Sequence, residues 1–464
     1  MKTMQEQPVT KQENKMGIMP VQKLVISMST PIMFSMLIQA LYNIVDSIFV
    51  SMQSELALTA VSLAFPIQNL MISVAVGTSV GMNSLLSRKL GAKEQDKVEK
   101  CANNGLSLAF LSWVAFAILG LLFSKRFFKL FTQDTGLLSM GSDYILICMV
   151  FSLGAFIDIM CERIMQATGD TIHPMIIQLI GAVSNIILDP IMIFGLLGFP
   201  KLGVTGAAIA TVLGQHISMA FAILYVRRNK EVKIQKHYFR LDKSTVKGIY
   251  AVGVPSIVMQ SIGTIMTTGF NKILIFYGTS AVAVFGVYFK LQSFVFMPVF
   301  GLNSGMIPVM GYNYGAKKPQ RIIETQKTGL KIALSVMAFG FIVFNVFPHT
   351  LLSWFNASPE MYRIGEIALR KVSLCFIFAG FSIVLMSLFQ AIGDGYLSMI
   401  ISVTRQLVVL LPSAWILAKL GGLELVWYAF IIAELASLML TIIFYRMEYR
   451  KKIQPLYDEK QPVR

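Results

Sequence analysis

QATGD (166–170) and QAIGD (390–394) stand 224 residues apart. When the chain is slid over itself by that distance with no gap, Pro31 falls on Pro255, Gln68 on Gln292 and Gly77 on Gly301. Gly81-Met82 meets Gly305-Met306, Gly91-Ala92-Lys93 meets Gly315-Ala316-Lys317, and Gly105-Leu106 meets Gly329-Leu330. MII at 175–177 lands on MII at 399–401. Isolated matches arise by chance between apolar segments. Chance does not hold glycines and polar residues in one register over so long a stretch, so the chain is an internal duplication.

What is duplicated follows from composition. Of 464 residues, 55% are hydrophobic and only 14% charged, with mean hydropathy +0.66; a soluble domain is about 25% charged. Apolar runs long enough to cross a bilayer fall at about 22–50, 57–87, 101–124, 138–162, 172–197, 204–226, 246–277, 281–311, 325–348, 362–391, 397–419 and 424–446. The fold class is therefore all-α integral membrane, twelve transmembrane helices in two parallel-repeat six-helix bundles. Six is even, so both copies enter the membrane with one orientation and relate by an axis along its normal. The expected divisions are an N-terminal tail 1–20, a first lobe 21–226, a basic linker 227–245, a second lobe 246–450 and a tail 451–464.

Lys and Arg cluster after even-numbered spans, in RKLGAKEQDKVEK (88–100), RRNKEVKIQKHYFRLDK (227–243), GAKKPQR (315–321) and RMEYRKK (446–452). KRFFK (125–129) is an exception. The positive-inside rule then places both termini in the cytoplasm of a multi-pass cell-membrane protein. The net charge of +16 reflects those loops and not a nucleic-acid surface. Residues 1–20 carry no apolar core, so the first span is expected to be an uncleaved anchor. The four cysteines, Cys101, Cys148, Cys161 and Cys375, lack metal-ligand spacing and read as packing residues. No phosphate-binding loop, zinc-protease or hydrolase motif is present, which argues against an enzyme or an ATP-driven pump.

The informative residues are those the copies do not share. Asp46 lies opposite Phe270, Asn185 opposite Val409 and Asp189 opposite Ser413. A carboxylate at mid-bilayer costs about 2.5–3.5 kcal/mol on the insertion scale, and embedded acids are functional by default. Gln39, Asn43 and Asp46 share one face of span one at i, i+4 and i+7. Gln178, Asn185 and Asp189 share one face of span five. Both acids should sit in the outer half of the membrane, with the two polar stripes facing each other. A dry carboxylate pair cannot carry both charges cheaply and can take up a proton; the same oxygens could instead hold Na⁺. The competing structural reading is a local hydrogen bond between Asp189 and Asn185, with Pro190 bending the span beside them.

The chain resembles the multidrug and toxic compound extrusion (MATE) family, within the oligosaccharide-lipid flippase-like superfamily. The matching words are YNIVDSIFV (42–50), AVSLAFPIQ (60–68), SRKLGAK (87–93), ERIMQATG (162–169), SNIILDPIMIFG (184–195), GVTGAAIAT (203–211) and FQAIGD (389–394). They look most like the bacterial DinF-type or a related branch. The resemblance implies two bundles forming a V and export driven by inward H⁺ or Na⁺. It also assigns Asp46, Asn185 and Asp189 to a cation site, with Thr211 as a fourth member, and places Gln39 against substrate. Ser51 departs from the glycine usual after IFV, which bears only on helix-end packing. Thr268 and Phe270 stand where another branch has an acid, so a cation site in the second lobe is not expected.

Around this site Tyr42, Asn43 and Gln178 are further candidates for substrate contact, with Met259 and Met266 on span seven as adaptable apolar surface. Asp158, Glu162 and Arg163 form a candidate gate or interfacial ion pair. Lys290 and Arg405 are embedded in the second lobe, where they either snorkel, pair with each other or make a basic cavity. His216 reads as packed and neutral. The sequence thus predicts a monomeric secondary exporter of small amphipathic, cationic compounds across the lipid bilayer, with no cofactor beyond H⁺ or Na⁺. The alternative is a flippase for a lipid-linked saccharide or another anionic amphiphile.

Overall fold

A computed structural model describes residues 13–355 and 357–458. Ten helices are long and apolar enough to cross a membrane, and two bent pairs bring the number of spans to twelve. In the first lobe these are α1 (Val21–Gln53), α2 (Glu55–Gly91), α3 (Gln95–Lys129), α4 (Thr135–Val150 with Leu153–Ala167), α5 (Ile172–Phe194) and α6 (Val204–Arg227). In the second they are α7 (Lys243–Leu274), α8 (Thr279–Gly315), α9 (Pro319–Val346), α10 (Pro359–Ser373 with Phe376–Ile392), α11 (Gly395–Gly421) and α12 (Ala429–Glu448).

The duplication is visible in backbone detail. α4 and α10 bend by 45° and 44° at equivalent breaks. Each then ends on the glycine of the opening motif, Gly169 at φ 97° and Gly393 at φ 100°, a left-handed turn that only glycine adopts without strain. Pro31 and Pro255 lie inside α1 and α7 at matching positions. One departure matters later: Thr404–Leu410 of α11 winds as a π-helix, whereas α5 stays α-helical.

Each lobe has its own apolar core, but the cores exchange members. Val21 and Val25 of α1 pack in the second lobe; Ile249 of α7 with Val309 and Tyr312 of α8 pack in the first. The lobes meet along α2 against α7 and α1 against α8. The repeat glycines lie in this seam. A Cβ on Gly81 would stand 2.1 Å from Ile249 O. One on Gly91 would meet Tyr312 O at 1.9 Å, and one on Gly315 would meet Arg88 O at 1.9 Å. Near the middle of α2, Asn69 Nδ2 donates to Thr264 Oγ1 at 3.0 Å. At the end carrying the basic loops, Ser84 Oγ donates to Gln390 O and Arg88 Nη1 to Ile392 O. The contacts from mid-membrane to the basic end bind the lobes together there.

Residues 13–20 of the expected tail are held as a strap across that end. A short helix, Lys15–Ile18, is capped by Asn14, whose Nδ2 donates to Thr168 O of the first lobe at 2.9 Å. From the second lobe, Asn313 Nδ2 donates to Met16 O at 3.0 Å and Lys318 Nζ to Gly17 O at 3.0 Å. Arg321 Nη2 serves Met16 O and Met19 O at 3.1 and 2.7 Å. Arg321→Met removes charge-assisted bonds worth about 1.5–3 kcal/mol each. The expected result is cleavage of the strap by added protease at least about tenfold faster than in the parent, followed by mass spectrometry. Beyond α12, the expected tail continues as a helix to Asp458, anchored by buried Ile453. The basic linker is pinned to α3, where Asn104 Nδ2 donates to Tyr238 O and Asn104 Oδ1 accepts from Asp242 N–H.

Candidate functional site

The polar stripes of α1 and α5 face each other inside the first lobe. Gln178 Nε2 donates to Gln39 Oε1 at 3.1 Å, crossing between the helices. One to two turns further from the basic end, Asp46 and Asp189 lie side by side, close enough to act on each other. Asp189 is fully buried and Asn185 almost so. With its amide oriented to satisfy both ends, Asn185 donates to Asp189 Oδ2 at 2.6 Å and accepts from Thr211 N–H at 3.1 Å. Tyr42 lies beside Thr211. Five side chains from α1, α5 and α6 thus meet at one point: Tyr42, Asp46, Asn185, Asp189 and Thr211. The side chain of Asn43 lies outside the described residues.

Close helix packing makes this cluster possible. A Cβ on Gly206 of α6 would lie 2.4 Å from Met192 O of α5, and one on Gly214 would lie 3.3 Å from Asn185 Cβ. Gly206 of GVTGAAIAT and Gly214 beyond it therefore set how near α6 comes to the acid. Gly206→Val should force the helices apart and lower stability by about 1–3 kcal/mol, the usual cost of overpacking. A lowered midpoint of thermal unfolding in detergent would measure it.

All members of the cluster offer oxygen donors, as a hard cation requires, and each acid keeps one buried oxygen, Oδ1, without a hydrogen-bond partner. Among the described residues no group of three His, Cys, Asp or Glu could hold a metal ion. Sequence reasoning used Gln68 only as a repeat marker and did not notice Tyr144. Gln68 Nε2 donates to Tyr144 Oη at 3.2 Å, and Tyr144 lies close enough to Asp46 to interact with its charge. Tyr144 thus approaches the acid from α4, held by Gln68 of α2. Gln68 has a repeat partner, Gln292, so comparing the halves for differences passed over it.

The other candidates fall elsewhere. Asp158, Glu162 and Arg163 lie on the second segment of α4, toward the basic end. The expected ion pair is not what forms. Among the described residues no salt bridge joins Arg163 to either acid; Arg163 Nη1 donates to Gln166 Oε1 at 2.8 Å, because one turn of helix brings the amide, not a carboxylate, onto the guanidinium. In the second lobe Lys290 and Arg405 do not pair with each other. Lys290 lies over the Phe355 ring, 5.9 Å from its centroid. Arg405 Nη1 donates to Glu434 Oε1 of α12 at 2.7 Å. The expected basic cavity is thus locally neutralised by an acid the sequence reading missed. Met266 lines that cavity, while Met259 is half-buried on α7 outside its lining. His216 shares its ring nitrogen with Val212 O at 2.8 Å, a local helix contact.

Comparison with known proteins agrees with this architecture. A multidrug resistance protein of Bacillus subtilis strain 168, described as probable and called YoeA, is 25% identical over 97% of this chain and 98% of its own. A protein of Shewanella oneidensis described as an FAD transporter is 25% identical over 87% of this chain and 90% of its own. A solved structure described as the outward-facing conformation of a multidrug resistance MATE family transporter superposes with a TM-score of 0.90 at 26% identity. The match covers 97% of this chain and 99% of that one. The MatE family model matches twice, over residues 31–191 and 255–416, its two starts separated by the repeat distance. With most of both lobes matched in duplicate, the chain belongs to the MatE family, whose members are membrane transporters and not enzymes.

Proposed function

We propose that the chain is a multidrug efflux exporter of the cell membrane, an antiporter driven by protons entering through the Asp46–Asp189 pair. The observation that carries this reading is the pair itself: two embedded acids side by side, in one lobe of a duplicated molecule. The positive-inside rule makes the basic end cytoplasmic, so the lobes are joined on the inside. The similarity to an outward-facing transporter supports taking this as the outward-facing state.

Exchange follows from charge. Closing an apolar lobe over an unpaired carboxylate is costly. A proton from outside, or a cationic compound from inside, removes that cost by neutralising the same group. The empty, ionised site resists closing, so each crossing carries one or the other. Gln39, Gln178 and Tyr42 lie along the same stripes and are the residues that would touch substrate. The carboxylate pair is completed within one chain, so a monomer suffices for transport. Na⁺ in place of H⁺ would use the same oxygens.

The test is export of ethidium, an aromatic cation, from proteoliposomes under an imposed ΔpH or Na⁺ gradient applied separately. Export under ΔpH alone supports the reading, and export under Na⁺ alone moves the coupling to sodium. Export under neither gradient sinks it. The second reading, an exporter of anionic amphiphiles, is favoured by the FAD transporter relative and weakened by the Arg405–Glu434 pair. FAD uptake into inverted vesicles distinguishes it.

A further inference from the structure

At the basic end of the first lobe an apolar groove of about 660 Å³ opens between α3, α4, α6 and the linker. Phe110 of α3, Ile157 and Cys161 of α4 and Ile223 of α6 stand in its walls, and Ile234, Phe239 and Leu241 of the linker close its floor. One charged residue reaches the lining, Arg227 at the end of α6. The volume suits a small amphiphile, and the lining shares no residue with the coupling site.

The floor is held in place by α3. Asn103 Oδ1 accepts from Gln235 N–H at 3.2 Å, and Ser107 Oγ donates to Phe239 O at 3.0 Å. These bonds grip both ends of a short helical turn, Lys236–Phe239. Phe239 and Leu241 are nevertheless exposed, on either side of the exposed Arg240. A loop in water loses by presenting two large apolar side chains. One lying on a bilayer gains, because the apolar groups sink among acyl chains while the bases stay with the headgroups.

The charges agree. Residues 227–243 carry seven Lys and Arg against two acids, Glu231 and Asp242. Asp242 is already engaged, capping α7 through Thr245 N–H at 2.8 Å. Arg227 is exposed, and among the described residues no carboxylate pairs with it. The duplication adds a contrast: Ile157 and Cys161 correspond to Phe381 and Leu385, so the first lobe has the smaller side chains at this wall.

We propose that the groove holds one anionic phospholipid from the cytoplasmic leaflet, its acyl chain along α3, α4 and α6 and its phosphate at Arg227. Basic pockets at this membrane face select anionic headgroups. A zwitterionic lipid brings its own cation into the same basic surroundings and gains less. Because the linker is the covalent connection between the lobes, the bound lipid ties that connection to the first lobe. The inference is independent of which ion or cargo the protein moves.

Native mass spectrometry of the full chain, titrated with dioleoyl phosphatidylglycerol or dioleoyl phosphatidylcholine, tests it. The two lipids share their chains, so a preference reports the headgroup. Phosphatidylglycerol should bind at least about tenfold tighter, and glycerol 3-phosphate, the anion without chains, should bind far more weakly than either lipid. Arg227→Gln should weaken phosphatidylglycerol about fivefold, the factor one base near an anionic headgroup is worth. Lys451→Gln makes the same charge change at the equivalent position of the second lobe and should leave the affinity within about twofold. Cys161→Leu narrows the groove, keeps every base and should weaken both lipids about tenfold. Should it misfold, Phe239→Ser at the exposed floor serves instead. Equal binding of the two lipids, equal losses from Arg227→Gln and Lys451→Gln, or glycerol 3-phosphate binding as tightly as lipid overturns the proposal. So does undiminished lipid binding in the folded groove variant.

Discussion

Asp189→Asn is expected to abolish uphill export while leaving the protein folded. A pH difference of about two units supplies roughly 2.7 kcal/mol per proton, enough to hold substrate at about a hundredfold concentration ratio. With asparagine in place of the acid no proton can be exchanged at that site, and the steady-state ratio should fall to about one. Asn185 still finds an amide oxygen to donate to, so the local hydrogen bond seen with Asp189 Oδ2 survives. Asp46→Asn should give the same collapse, because it removes the other acid of the pair. Both variants should still carry substrate down its gradient. Steady-state dye ratios in proteoliposomes, with and without an imposed ΔpH, check this. Normal uphill export by both variants would remove the acids from the coupling role.

A comparably large effect is expected from Gly91→Val. Its Cβ would stand 1.9 Å from Tyr312 O and 2.7 Å from Tyr312 C, with Tyr312 Cα at 3.0 Å. Backbone cannot step aside as a side chain can, so the lobes themselves must part. Each lobe keeps its own core, and the chain should still insert and fold. What is lost is the closed inner seam, so transport should drop below about a tenth of the parent rate. Ser84 is fully buried in that seam. In a background without the native cysteines, Ser84→Cys should react with a membrane-impermeant maleimide from the inner side at least about tenfold faster when Gly91→Val is present. Unchanged labelling would show that the seam tolerates the added methyl groups.

The duplication, the twelve spans and the facing stripes of α1 and α5 were legible because each is periodic: 224 residues for the repeat, 3.6 for the helix faces. The acids were legible for the opposite reason, as breaks in the first of those periods. Where the reading failed, the determinant was non-local. Arg405 finds Glu434 across 29 positions from within a π turn, and no residue preference announces a π turn. The strap of residues 13–20 is held through backbone carbonyls of Met16, Gly17 and Met19, atoms every sequence possesses. Gly91 and Gly315 marked the repeat plainly, but that each is pressed against main chain of the opposite lobe, Gly91 against Tyr312 and Gly315 against Arg88, is a fact of two surfaces brought together.

That reciprocal fit has a kinetic implication. A joint of main chain against main chain offers no rotamers to rearrange, so it has no graded, half-open form to rest in. It is seated or it is separated, and the transporter should spend its time at two ends of a journey with little dwell between them. Binding events upstream then need only tip a balance, much as a small weight throws a toggle, and need not push the machine through every position on the way.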